Sequence, residues 1–87
     1  MHETGMVRDL IRHVVRAAEA NGAHRVLEVK VWLGALSHLS TGHFREHFES
    51  EARGTLAEGA RLSVTESSDT SDPRAQSLLL ESLELEA

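Results

Sequence analysis

Val7, Leu10, Ile11, Val14, Val15 and Ala18 recur at the i, i+3, i+4, i+7 spacing of one helical stripe, and a few residues later Leu27, Val29, Val31 and Leu33 alternate with Glu28, Lys30 and Trp32. The first pattern is an amphipathic helix and the second a half-buried strand, so the chain must lay a helix against one face of a sheet. Asn21-Gly22 separates the two periods, where a glycine can take positive φ and end the helix. The first helix is therefore expected over roughly residues 5–20, and the first strand over about 26–33 with its aliphatic set toward the helices. Trp32 falls on the outer face, where a loop or neighbouring strand must cover it unless a partner or second copy does. Arg8, Arg12 and Arg16 line up along the solvent side of the helix, a solvated face or a docking stripe for an acidic partner.

Farther along, Ser40 is placed to N-cap a second helix over about 41–53, with Leu39 and Phe44 in the positions of a hydrophobic staple. Phe44, Phe48 and Ala52 form its narrow apolar stripe, and Gly54 follows it. The linker 55–60 leads to a short strand, Leu62-Ser63-Val64-Thr65. Residues 66–77 hold the single proline and almost no apolar side chain, and read as a polar, mobile loop. In the last strand, over about 78–85, Leu83 and Leu85 share a parity that Leu78 and Leu80 do not, which predicts a bulge near Glu81. The sum is an α+β fold of order α-β-α-β-β, two helices on one face of a three-stranded mixed sheet, in a single domain over residues 1–87.

Composition narrows the chemistry. Nine Lys+Arg against fourteen Asp+Glu give a net charge of −5, and the only aromatics are Trp32, Phe44 and Phe48. That balance disfavours nucleic acid, which wants a basic surface with stacking platforms. No apolar run approaches the ~20 residues of a membrane helix, and the start lacks the layout of a signal peptide, so a cytoplasmic protein is expected. There is no cysteine, which removes disulfides, thiolate zinc sites, iron–sulfur clusters and cysteine nucleophiles together. With no serine elbow and no glycine-rich phosphate loop either, an enzyme is not expected.

Any metal must then sit on nitrogen and oxygen, and the six histidines direct attention to two places. At Met1-His2-Glu3 the α-amine, the His2 imidazole and the amide nitrogens of His2 and Glu3 can form a planar four-nitrogen field. Bulky His2 also protects Met1 from aminopeptidase trimming. Such a field suits nickel(II) or copper(II) better than tetrahedral zinc. A cation beside a helix N-terminus opposes the macrodipole, a cost that the anionic amidates and Glu3 offset. The second place is His43 and His47, an i, i+4 pair on the second helix, to which Glu51 or His38 could add a ligand. The alternative for that pair is two ordinary histidines flanking an apolar stripe. His13 and His24 read as surface residues.

Met1-His2-Glu3, Gly22-Ala23-His24-Arg25-Val26, Trp32-Leu33-Gly34-Ala35-Leu36-Ser37 and Arg53-Gly54-Thr55-Leu56-Ala57-Glu58-Gly59-Ala60, taken in order, resemble the HypA/HybF family of nickel metallochaperones. The closing Leu80-Glu81-Ser82-Leu83-Glu84-Leu85-Glu86 is similar to that family's last strand. The resemblance implies a nickel(II) carrier that works with a HypB-type GTPase and the large subunit of a [NiFe]-hydrogenase or related nickel enzyme. It carries the nickel ligands onto the amine of Met1, the imidazole and amide of His2 and the amide of Glu3. One departure is large: family members normally bear a zinc module with two Cys-x-x-Cys pairs between the second and third strands. Here that place holds only the polar stretch 66–77, so no structural zinc is expected. Readings that stand beside the carrier are a metal-independent interaction module, in which a homodimer is possible, and a metal protein that uses His43 and His47.

Overall fold

The computed structural model describes residues 3–87. Its elements are α1 (Glu3–Ala20), β1 (Arg25–Leu33), α2 (Thr41–Ala52), β2 (Arg61–Glu66) and β3 (Leu78–Glu86). The sheet order is β2-β1-β3. β1 pairs in parallel with β2, from Glu28 opposite Arg61 to Leu33 opposite Glu66, and antiparallel with β3. The parallel pair requires a crossover, and α2 supplies it. The expected α+β architecture is the one observed.

α1 starts at Glu3, earlier than its apolar stripe requires, and ends where the sequence indicates. Gly22 has φ +65, the Gly22 amide donates to the Glu19 carbonyl at 3.0 Å and the Ala23 amide to the Ala18 carbonyl at 2.9 Å. Those two bonds are the Schellman closure, with Ala18 buried and Ala23 packed against the core beside it. At the start of α2, Ser40 Oγ accepts the His43 amide at 3.2 Å. Leu39 packs against the cluster that contains Phe44, as a staple does.

Val7, Leu10, Ile11, Val14 and Ala18 of α1 meet Phe44, Phe48 and Ala52 of α2 over Val26, Val29 and Val31 of β1. The two phenylalanine rings lie tilted with centroids 6.4 Å apart. Leu33 is also buried. One expectation is corrected at the start of β1: Val26, not Leu27, turns into the core. Leu27 is an extra residue between the Val26–Leu85 and Glu28–Glu84 pairs, and this bulge reverses the side on which the next residue falls. The second irregularity lies between Lys30–Ser82 and Val31–Leu80, which makes Glu81 the extra residue of β3, where the leucine parity predicts it. Leu78 on one side of it and Leu83 and Leu85 on the other all pack on the core.

Two further corrections concern the polar stretch. Glu66 belongs to β2, and the remainder is tied down rather than free. The Gly34 amide donates to the Ser77 carbonyl at 2.9 Å, the Leu36 amide to the Ala75 carbonyl at 2.6 Å, and the Ser67 amide to the Leu33 carbonyl at 2.9 Å. Ala75 is 4% exposed. Gly34 permits this approach, because a Cβ there would overlap the Ala75 carbonyl. Asp69 and Asp72 accept the amides of Ser71 (3.0 Å) and Arg74 (2.7 Å), so side chains supply the partners that a strand or helix would. Arg74 then stacks over the Trp32 ring, 5.0 Å from its centroid. The expected cover for the outer-face tryptophan is thus a loop, and the loop is this strap. No helix among the described residues is long and apolar enough to cross a membrane.

Candidate metal centre

Met1 and His2, the first two members of the leading candidate site, lie outside the described residues. Of Glu3 only its place at the head of α1 is described. That place matters chemically, because the first four N–H groups of a helix have no intrahelical acceptor. The Glu3 amide is therefore not committed to the helix ladder, and the positive end of the helix dipole favours its anionic form.

His43 and His47 lie on the first turns of α2, His43 exposed and His47 half-buried. Neither imidazole makes a side-chain hydrogen bond among the described residues. The third ligand proposed from sequence is not delivered: no group of three His, Cys, Asp or Glu able to hold a metal ion forms among the described residues. Glu51 is engaged elsewhere, accepting from Arg8 Nε at 2.8 Å. That bond raises the Arg8 guanidinium pKa, first through the hydrogen bond and then through the charge of Glu51. His38 sits exposed in the left-handed region at φ 61. The pair is thus two imidazoles only.

The arginine stripe is partly internal to the fold. Arg8 bridges the helices to Glu51, and Arg12 meets Asp9 at 3.2 Å. The Arg8–Glu51 link could not be read from sequence, since it depends on how α1 and α2 stand against each other. On the outer sheet face Glu28 accepts from Ser63 Oγ at 2.7 Å and lies 3.9 Å from Arg61. An apolar groove of about 590 Å³ between α1 and β3 is lined by Met6, Leu10, Ala17, Leu78 and Leu80 together with Asp9 and His13. His13 and His24 are both exposed, as their surface reading expects. No charged or polar residue is buried among the described residues.

A protein-family model described as hydrogenase/urease nickel incorporation, metallochaperone, hypA, matches residues 1–71. Among curated proteins, the hydrogenase maturation factor HypA of Methanothermobacter thermautotrophicus is 39% identical over 64 residues, 74% of this chain and 52% of that protein. HypA of Archaeoglobus fulgidus is 35% identical over 65 residues, 75% of this chain and 59% of its own length. The chain thus spans between half and three-fifths of the length of these relatives. The fold is similar to the solution structure of the Ni metallochaperone HypA from Helicobacter pylori, with a TM-score of 0.85 at 22% identity over 100% of this chain and 99% of that one. A second HypA solution structure gives a TM-score of 0.76 at 22% identity over 98% and 96% of the two chains.

Proposed function

The chain belongs to the HypA family, and from that premise we propose that it is a nickel carrier that holds Ni(II) at Met1, His2 and Glu3 for the maturation of a [NiFe]-hydrogenase-like enzyme. The observation that carries this reading is the family match, which runs from residue 1 and so includes the candidate ligands. The start of α1 at Glu3 is consistent with it, since the helix does not consume the ligand amide. Nickel is cargo here. The donor set is the Met1 amine, the His2 imidazole and two amidates, and exchange onto a partner's ligands releases the ion. Family membership favours this carrier over the metal-independent interaction module.

Residues 1–87 act as one nickel-binding-type domain, and the strap between β2 and β3 stands where relatives of the usual pattern carry their zinc module. A chain without cysteine cannot hold zinc on thiolates, so the carrier works without that structural metal. Its partners are a HypB-type GTPase and the large subunit of the nickel enzyme, and its compartment is the cytoplasm. All donors must be deprotonated to bind, so the site releases nickel as pH falls.

The test is a Ni(II) titration of untagged chain with a free Met1 amine, followed by the visible bands of planar nickel. One equivalent giving a yellow planar complex, lost in His2→Ala, supports the reading. An affinity that His2→Ala leaves unchanged removes its foundation.

A further inference from the structure

β3 is nine residues long and stands at one border of the sheet, with β1 as its neighbour. An edge strand turns alternate N–H and C=O groups away from its neighbour. Among the described residues, no backbone hydrogen bond outside the β1–β3 ladder involves Leu78–Leu85, so that row is open. The same edge borders the apolar groove of about 590 Å³, with Met6 and Leu10 of α1 on one side and Leu78 and Leu80 on the other. Leu80 pairs with Val31, yet it is 37% exposed whereas Val31 is fully buried. The helices cover the middle strand and leave the leucine of the edge strand bare. Leu80 and Glu81 also line a smaller cleft on the outer face, beside Trp32 and Leu79, so the edge is open from both faces of the sheet.

Charge decides what can add to this edge. β3 carries Glu81, Glu84 and Glu86 and no basic residue. Arg61 lies 3.7 Å from Glu84 and Arg25 3.3 Å from Glu86, while Glu81, the extra residue of the bulge, has no ion-pair partner among the described residues. The polar lining of the groove there is Asp9 and His13, without Lys or Arg. A second copy fits poorly: pairing β3 with itself would set three glutamates from each copy on neighbouring strands, and would oppose two bulged edges. We propose that the β3 edge and the adjoining groove bind an extended segment of another protein, one that alternates apolar side chains with Lys or Arg and adds to the sheet as a fourth strand. Main-chain hydrogen bonds to β3 hold the segment. Strand spacing of about 4.8 Å sets its inward side chains beside Leu80, covering the groove, and its outward cations beside Glu81. This docking draws on neither residues 1–3 nor nickel.

The probe is an end-blocked peptide of alternating lysine and valine, as long as β3, titrated into the full chain at physiological salt and followed by amide NMR. Two further peptides are compared, one N-methylated at every amide and one with glutamate for lysine. The expected result is shifts at Leu78–Ser82 and along Met6–His13 with the first peptide and none with the other two. Leu80→Ser and Glu81→Lys should each weaken binding by about fivefold. Leu36→Ser, at the other exposed large apolar residue, and Glu46→Lys, an equal charge change on the exposed side of α2, should bind like wild type. Amide spectra of the free variants that match wild type establish an intact fold. An N-methylated peptide that binds as well, or shifts spread over the acidic surface at large, would reduce the effect to charge attraction and overturn the proposal. So would equal binding of the glutamate peptide, or no binding at about 1 mM. A dimer in sedimentation, formed without peptide and dissociated by Leu80→Ser, would give the edge to a second copy and overturn it as well.

Discussion

Replacing Gly34 by alanine isolates what holds the strap in place. A Cβ at this position would overlap the Ala75 carbonyl and stand 2.6 Å from the Arg74 carbonyl oxygen. These are backbone atoms, so no side-chain rotation relieves the clash and the strap must move. Two hydrogen bonds depend directly on the approach, Gly34 to Ser77 at 2.9 Å and Leu36 to Ala75 at 2.6 Å. At about 0.5–1.5 kcal/mol net each, their loss costs about 1–3 kcal/mol, and residual overpacking adds about 1 kcal/mol. The expected loss is about 2–4 kcal/mol in urea unfolding. Gly42→Ala is the matched comparison, because a Cβ there meets nothing within 4 Å and the residue is helical. It should stabilise by about 0.5 kcal/mol. Amide exchange at position 34 and at Leu36, the two donors across the strap, should accelerate in Gly34→Ala alone. A Gly34→Ala protein within about 0.5 kcal/mol of wild type, with those amides still protected, would refute the strap as an anchored element.

Arg74→Ala uncovers the Trp32 ring, so tryptophan emission should shift to the red with a stability loss of about 0.5–1 kcal/mol. The Asp72 carboxyl is held below the usual carboxylate range by the Arg74 amide and then by the Arg74 side chain. A depressed folded-state pKa gives stability that is present at neutral pH and lost as pH falls below about 3.9; an acid titration of Trp32 emission should show this transition, and Asp72→Asn should abolish it. Phe48→Ala, at a position 1% exposed, should cost about 3–5 kcal/mol, measured by urea unfolding, and Leu80→Ala on the exposed part of β3 far less.

Much of the fold was legible because its signals are local. The stripe Val7 to Ala18, the Asn21-Gly22 stop, the Ser40 cap and the parity change at Glu81 each involve residues within a few positions of one another, and each appears as expected. The bulge at Leu27 was not legible, since Leu27, Val29, Val31 and Leu33 alternate without a break and only pairing with β3 shows the extra residue. Ala57 and Ala75, both buried, sit in segments that read as linker and loop. Their burial depends on what packs over them, and small residues carry little periodic signal. The strap has the polar composition of a free loop, but backbone bonds to Gly34 and Leu36 and aspartates capping its own turns give it a defined path. At the candidate centre, His43 and His47 lie at i, i+4 spacing on α2. That spacing could not show that Glu51 turns to Arg8, because that depends on the packing of two helices. The N-terminal ligands were read from the residues and the family resemblance.

X-ray absorption at the nickel edge, on untagged chain loaded with one equivalent of Ni(II), tests the nickel-carrier account most directly. The account predicts a planar site of four nitrogen donors with no sulfur, replaced in His2→Ala by a six-coordinate spectrum. A six-coordinate site in wild type, or a planar one that survives His2→Ala, would contradict it.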